Sequence, residues 1–197
     1  MNLPNKLTVL RILLVPFFVV SLLIPFPHHY LVSCLIFIIA SITDCLDGKL
    51  ARKRNLVTDF GKFADPLADK ILVISAFVCF IALGITGPVM VIIVLIREFT
   101  ITSIRLVAAS QGKVVAANIW GKVKTVSQII AICGVLLGHY VLELVNLSVI
   151  PLNPEINASF TYYIFAGGEI LLWISTVFAV ISGVIYVADN KGVIKDW

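Results

Sequence analysis

Long apolar stretches dominate the chain, and their length limits the folds that are open to it. A helix needs about 20 largely apolar residues to cross a lipid bilayer. Six stretches come close to that requirement, at residues 7–25, 29–48, 62–83, 88–109, 119–142 and 161–188. A membrane barrel would instead show short segments of alternating polarity. The sequence therefore predicts an all-α integral membrane protein with six transmembrane helices.

The composition agrees with a membrane protein. Of the 197 residues, 60% are hydrophobic and 13% are charged, whereas soluble domains carry about 25% charged residues. A soluble fold would leave very large apolar patches in contact with water. The four cysteines stand singly inside apolar runs, so we expect reduced packing residues. Because the chain shows no internal repeat and no low-complexity segment, we expect one membrane domain over residues 1–197.

The basic residues predict the orientation in the membrane. Lysine and arginine cluster at the two chain ends and at the second and fourth connections between the apolar stretches. The other three connections contain no lysine or arginine, and we expect their acidic residues, Glu143 and Glu155, to lie at the surface. The positive-inside rule then places both termini in the cytoplasm, in a multi-pass protein of the cell membrane. The net charge of +4 follows from this topology and from anionic lipid, so we expect no nucleic-acid partner.

Four aspartates form the most informative motif, D-x-x-D-G-x-x-A-R-x(8)-G-x-x-x-D-x-x-x-D, at residues 44–69. Asp44 and Asp47 share one face of the second span, and Asp65 and Asp69 share one face of the third. A short basic connection, flanked by Gly48 on one side, makes these spans antiparallel neighbours. Ionisable groups at membrane depth usually mark a functional site.

The spacing of these carboxylates points to a metal-dependent reaction on a phosphate ester at the cytoplasmic side. Four carboxylates on facing helices repel one another unless cations lie between them. Carboxylate oxygens suit hard cations such as Mg²⁺, and two such ions can clamp a phosphoryl displacement. The alternative is that the aspartates only pair with the lysines and arginines of the connection. Gly61 closes that connection, and missing side chains at Gly48 and Gly61 allow a ligand to approach the backbone.

This motif resembles the CDP-alcohol phosphatidyltransferase family at all eight of its defining positions. The resemblance implies a homodimer of six-helix subunits and two Mg²⁺ or Mn²⁺ ions per active site. It implies that the metals are held by Asp44, Asp47, Asp65 and Asp69, and that Asp69 is also the general base. The CDP pocket implied by the same likeness is lined by Asp44, Gly48, Ala51, Arg52, Thr58 and Gly61.

Three flanking segments narrow the expected acceptor. Residues 5–8 with Arg11, residues 97–99, and residues 121–125 resemble bacterial members of the family that use glycerol 3-phosphate. The expected reaction transfers the phosphatidyl group from CDP-diacylglycerol to that acceptor and releases CMP. A phosphorylated acceptor needs a basic pocket, and the candidates are Arg105, Lys122, Lys124, Arg97 and Arg11.

These basic residues also have structural interpretations. Arg97 falls near the middle of the fourth span, where a bare cation is costly, and it could simply pair with Glu98 or Glu169. Lys122 and Lys124 could simply anchor their span at the cytoplasmic surface.

Other functions stay open on sequence alone. Within the family, the acceptor could be inositol phosphate, serine or phosphatidylglycerol, because the aspartate motif does not separate them. Outside it, an intramembrane prenyltransferase would also use aspartates and Mg²⁺, although its two motifs would lie further apart. A cation-coupled transporter could use the carboxylates as an ion site, although transporters of that kind commonly show inverted repeats.

Overall fold

The computed structural model describes residues 3–54, 59–111, 119–151 and 153–191; at residues 3–7, 44–54, 59–67, 69, 154 and 155 this is the backbone alone. Within these ranges the chain forms six α-helices and no strand. The helices are α1 (Leu3–Leu23), α2 (His29–Arg54), α3 (Asp59–Ala82), α4 (Pro88–Ser110), α5 (Ile119–Asn146) and α6 (Pro154–Asp189). The predicted all-α class is confirmed.

Three of the helices begin where the apolar stretches begin, whereas α1, α3 and α6 begin three to seven residues earlier. The predicted starts at residues 29, 88 and 119 coincide with the first residues of α2, α4 and α5. By contrast, α2 continues to Arg54, so Gly48 lies inside this helix, and Gly61 lies inside α3. The predicted bounds of the connection, at these two glycines, are therefore wrong. Alanine, arginine and lysine are strong helix formers, and they extend α2 beyond the part that is apolar enough for lipid.

One core joins the helices. Helix α1 packs against α2 and α3, α2 packs against α5, and α6 packs against both α4 and α5. Helices α2 and α3 also contact each other. The largest side chains of this core are completely buried: Phe18, Phe37, Phe77, Phe80, Leu136 and Leu172. They come from α1, α2, α3, α5 and α6, so a shift of one helix disturbs packing throughout the bundle.

Glycines allow α5 and α6 to approach closely. A Cβ atom at Gly134 would lie 3.0 Å from the Leu171 side chain, and one at Gly138 would lie 3.2 Å from Ile164. From the other side, a Cβ atom at Gly168 would lie 3.3 Å from the Val135 side chain. Gly134 and Gly138 form a G-x-x-x-G pattern, in which missing side chains let membrane helices pack tightly.

The outer surface of the bundle is apolar. Phe17, Leu106 and Val184 each expose about two-thirds of their surface, at 65%, 67% and 64%. Soluble monomers rarely expose large contiguous apolar patches. Among the described residues, two stretches are long and apolar enough to cross a membrane, Ile119–Asn146 and Ile156–Asp189. These features indicate membrane association, and the six spans stay a prediction.

The N-terminus of α2 is capped by an acidic residue from α5. Glu143 accepts hydrogen bonds from the backbone N–H groups of His29, at 3.1 Å, and Tyr30, at 3.4 Å. The Glu143 side chain is buried there, so its predicted surface position is wrong. The first N–H groups of a helix have no partner within it, and the helix dipole attracts an anion. Both effects draw the carboxylate inward. The side chain of Glu155 lies outside the described part of the chain.

Candidate functional site

The four predicted metal ligands lie on two helices that contact each other. Asp44 and Asp47 are on α2, and Asp65 and Asp69 are on α3. Their side chains lie outside the described residues, so the predicted convergence of the carboxylates is not tested. Helix α1 packs against both helices and fixes their relative position.

The residues assigned to the CDP pocket also lie where the structure does not describe side chains. Gly48, Ala51 and Arg52 belong to α2, and Gly61 belongs to the first turn of α3. Their side chains are not described, and Thr58 falls in the segment 55–58, outside the described residues altogether. The assignment of these residues therefore stays a prediction.

A buried carboxylate, Glu98, pairs with Arg97 on its own helix and with Lys124 on α5. Its Oε1 atom accepts a hydrogen bond from Arg97 Nη1 at 3.0 Å and lies 2.5 Å from Lys124 Nζ. The Glu98 and Lys124 side chains are each only 9% exposed, and that of Arg97 is 12% exposed. Buried charges need partners of this kind, because losing water is costly for each ion. Glu98 thus ties α4 to α5.

Arg97 connects the same cluster to α6. Its Nη2 atom donates to the Ser182 hydroxyl at 2.8 Å, and its Nε atom donates to the Ala179 carbonyl at 3.3 Å. Gly183 leaves room for this side chain, because a Cβ atom there would lie 3.0 Å from Arg97 Cγ. Two structural partners were predicted for Arg97, and the structure pairs it with Glu98. The other, Glu169, is exposed on α6. The guanidinium is held in place by groups on two helices, α4 and α6.

Lys70 links the cluster to the acidic motif. It immediately follows Asp69 on α3, and its ammonium group donates to the Thr102 hydroxyl on α4. The same hydroxyl donates to the Glu98 carbonyl at 2.7 Å. The cluster therefore begins one residue from the predicted catalytic base.

Cations are concentrated around Glu98. Arg97 and Lys124 both bond to its carboxylate, and Lys70 bonds to Thr102 on the same helix as Glu98. Charges interact strongly where water is excluded. An anionic group such as a phosphate would therefore be attracted to these side chains.

The other predicted phosphate-binding residues differ in their surroundings. Arg105 is exposed on α4; its Nε atom donates to the Tyr186 hydroxyl at 3.3 Å, and its guanidinium lies 5.5 Å from the centre of that ring. Lys122 is exposed at the start of α5. Arg11 is 1% exposed on α1. The described contacts bring Arg97 and Lys124 together through Glu98, and they do not join Arg105 or Lys122 to that cluster.

Sequence reasoning missed four polar residues here: Glu98 as a hub, Lys70, Thr102 and Gln128. Gln128 lies on α5 and is fully buried; neither amide atom has a hydrogen-bond partner among the described residues. Its spacing of four residues from Lys124 was the available signal, since residues i and i+4 share a helix face. The contacts of Glu98 across helices leave no comparable trace in the sequence.

Comparison with known proteins defines the class of this protein. The family model for CDP-alcohol phosphatidyltransferase matches residues 1–181. The chain belongs to this family, and it is therefore an enzyme, a phosphatidyltransferase. The resemblance seen in the aspartate motif is confirmed.

Individual relatives narrow the comparison. The chain is 41% identical to CDP-diacylglycerol–glycerol-3-phosphate 3-phosphatidyltransferase from Bacillus subtilis, over 98% of this chain and 97% of the relative. Proteins of the same name from Haemophilus influenzae and Rickettsia bellii are also similar. The first is 41% identical over 68% of this chain and 75% of its own length. The second is 33% identical over 94% of this chain and 93% of its own length.

Proposed function

We propose that the chain transfers the phosphatidyl group from CDP-diacylglycerol to glycerol 3-phosphate, which gives phosphatidylglycerophosphate and CMP. The observation that carries this proposal is the 41% identity, over 98% of the chain, to a relative named for that reaction. The complete aspartate motif at residues 44–69 supports it independently. Lys70, which directly follows that motif, and the buried Lys124 are cations that would attract the phosphate of the acceptor.

The donor atoms of the motif fit hard divalent cations. We propose that Asp44, Asp47, Asp65 and Asp69 hold two Mg²⁺ or Mn²⁺ ions, because carboxylate oxygens are the ligands such ions prefer. Bound ions of this kind would neutralise the pyrophosphate of CDP-diacylglycerol and stabilise the departing CMP. Beside them, Gly48, Ala51, Thr58 and Gly61 would line the CDP pocket, and Arg52 would fork onto a phosphate.

Asp69 would move the proton. Its carboxylate would accept the proton of the 1-hydroxyl of glycerol 3-phosphate, which requires only hydrogen-bond reach. The hydroxyl oxygen then forms a bond to the phosphorus that bears the diacylglycerol. The bond from that phosphorus to the bridging oxygen breaks, and CMP leaves with the electron pair. Lys70, the next residue along α3, would keep the helix rotated correctly by bonding to Thr102.

The cation cluster would hold the phosphate of the acceptor. Lys124 would contact it, since Arg97 is bonded to Glu98 and to α6 and Lys70 is bonded to Thr102. Positioning the acceptor in this way lowers the barrier, because the attacking hydroxyl no longer has to find its orientation by diffusion. Arg105, Lys122 and Arg11 would add further positive charge and attract the acceptor from the cytoplasm.

We propose a multi-pass protein of the cell membrane with six spans, both termini in the cytoplasm and the active site at the cytoplasmic side. The uneven distribution of lysine and arginine supports this orientation. The two long apolar stretches in α5 and α6 and the exposed apolar surface support insertion in lipid. The acyl chains of CDP-diacylglycerol would then stay in the bilayer. A homodimer remains part of the proposal through the family resemblance alone.

Release of CMP by the purified protein tests the proposed function. The protein would be incubated with CDP-diacylglycerol, Mg²⁺ or Mn²⁺, and one acceptor at a time: glycerol 3-phosphate, inositol phosphate, serine or phosphatidylglycerol. Release with glycerol 3-phosphate alone supports the proposal. Release with another alcohol replaces the acceptor and keeps the chemistry. No release from folded protein with metal present would refute the proposed function.

Replacement of the general base gives a second test. Asp69→Asn keeps the size of the side chain and cannot accept a proton, so turnover should be lost while CDP-diacylglycerol still binds. The matched control is Asp189→Asn, at the end of α6 and outside the motif, which should retain turnover. Loss of lipid binding together with turnover would contradict a separate role for Asp69 in proton transfer.

A further inference from the structure

Gln128 is a buried polar residue that the proposed mechanism does not use. Its side chain is fully buried on α5, and its amide oxygen and nitrogen both lack a hydrogen-bond partner within the described part of the chain. Buried amides are nearly always bonded, because an unpaired donor or acceptor loses its water without compensation. A residue that carries this penalty in the absence of substrate is a candidate for contact with a polar ligand.

The position of Gln128 indicates which ligand. It lies four residues after Lys124, on the same buried face of α5, and about 6 Å further along the helix. Helix α5 packs against α2 and α3, which carry the four aspartates of the motif. A ligand that enters from the start of α5 with its anionic group at Lys124 would therefore extend past Gln128.

The chemistry of the amide suits a hydroxyl group. A glutamine side chain offers an N–H donor and a carbonyl acceptor, and a hydroxyl both donates and accepts. Glycerol 3-phosphate has one hydroxyl that reacts and a second, at carbon 2, that does not. We propose that Gln128 is a specificity-determining residue that hydrogen-bonds this second hydroxyl while Lys124 contacts the phosphate. This role rests on the proposed function.

The test measures kcat/KM for two acceptors, in the wild type and in Gln128→Leu. The acceptors are glycerol 3-phosphate and 3-hydroxypropyl phosphate, which lacks the hydroxyl at carbon 2. The wild type should prefer glycerol 3-phosphate in kcat/KM by about fivefold, the factor that one ordinary hydrogen bond supplies. Gln128→Leu should use the two acceptors nearly equally. An unchanged preference in this variant would overturn the proposal.

Thermal unfolding without substrate separates this role from a structural one. Gln128→Leu replaces an unpaired amide with an apolar group of similar size, so its melting temperature should rise. The control is Thr176→Val on α6, which removes a buried hydroxyl that is already bonded to the Leu172 carbonyl at 2.9 Å. This control should not become more stable, and its acceptor preference should match the wild type. A lower melting temperature for Gln128→Leu would show that the amide is bonded in the fold, and the proposal would fail.

Two further outcomes are informative. If Gln128→Leu does not fold, Gln128→Met, which keeps the unbranched shape, replaces it in both measurements. If the wild type releases CMP only with another alcohol, the proposed function is wrong. The same comparison then uses that alcohol and its analogue without the non-reacting hydroxyl, and equal discrimination by wild type and variant would overturn the role of Gln128.

Discussion

The ion pair between Glu98 and Lys124 gives the sharpest prediction about stability, because its two halves are unequal. Glu98→Gln keeps the shape of the side chain and removes its charge. Within the described part of the chain, Glu98 is the only ionic partner of Lys124, so that ammonium would be left buried without a counter-ion. Lys124→Met leaves Glu98 paired with Arg97, at 3.0 Å. The first change should therefore be the more harmful.

The size of the effect follows from burial. Both side chains are 9% exposed, and breaking a buried pair from one side costs about 3–5 kcal/mol. For a chain of this size about 2–4 °C is lost per kcal/mol, so Glu98→Gln should lower the melting temperature by roughly 6–20 °C. Lys124→Met should cost about 1–3 kcal/mol, an ordinary loss for a core substitution. The double variant should cost less than the sum, by about 0.5–3 kcal/mol.

The assay is thermal unfolding of the detergent-solubilised protein without substrate, followed with a thiol-reactive fluorescent dye. The chain suits this probe, because Cys34 and Cys79 are buried free thiols that unfolding would expose. Lys122→Met is the control, since Lys122 is exposed two residues before Lys124 and should change the melting temperature little. An equal loss from both single variants, or strict additivity in the double variant, would refute the reasoning.

Three further predictions use the same protein. Gly168→Val should lower the free energy of unfolding by about 1–3 kcal/mol, because even a Cβ atom there would crowd α5. Gly167→Val, where a Cβ atom meets open space, should lower it less. Equal melting temperatures for the two variants would contradict this. Glu143→Gln should lower the free energy of unfolding by about 0.5–2 kcal/mol, because it weakens the cap of α2. Glu169→Gln, at an exposed position, should leave stability unchanged. A larger loss from Glu169→Gln than from Glu143→Gln would exclude the capping role. Removal of divalent metal with a chelator should abolish CMP release, and added Mg²⁺ or Mn²⁺ should restore it; release that continues after chelation would contradict a metal-dependent reaction.

Hydropathy predicted the helices well and their ends poorly. Three starts, at residues 29, 88 and 119, follow from the first residues that lipid tolerates, whereas α1, α3 and α6 begin three to seven residues before the predicted position. The end of α2 was missed, because Arg54 belongs to a helix without belonging to the apolar stretch. Hydropathy measures how well a residue suits lipid, whereas the helix ends where backbone hydrogen bonding ends. The two limits coincide only where a helix stops at the membrane surface.

The site was predictable where its information is local. The aspartate motif and the family follow from spacing within one short segment, and the family is confirmed. The partners of Arg97 and Glu143 are set by contacts between helices. The sequence left Arg97 with two possible partners and placed Glu143 at the surface. In the fold, Arg97 pairs with Glu98, and Glu143 is buried at the start of α2. Such choices depend on helix rotation, which no single segment encodes.

The partners of the charges on α4 also bear on the order in which the protein is assembled. Arg97 and Glu98 lie near the middle of this helix; besides each other, they bind groups on α5 and α6, which the ribosome makes later. On translocon scales, a charged residue at the centre of a helix costs about 2.5–3.5 kcal/mol. In the proposed six-span topology, α4 alone would therefore insert poorly during synthesis, and we expect its stable insertion to wait for α5 and α6.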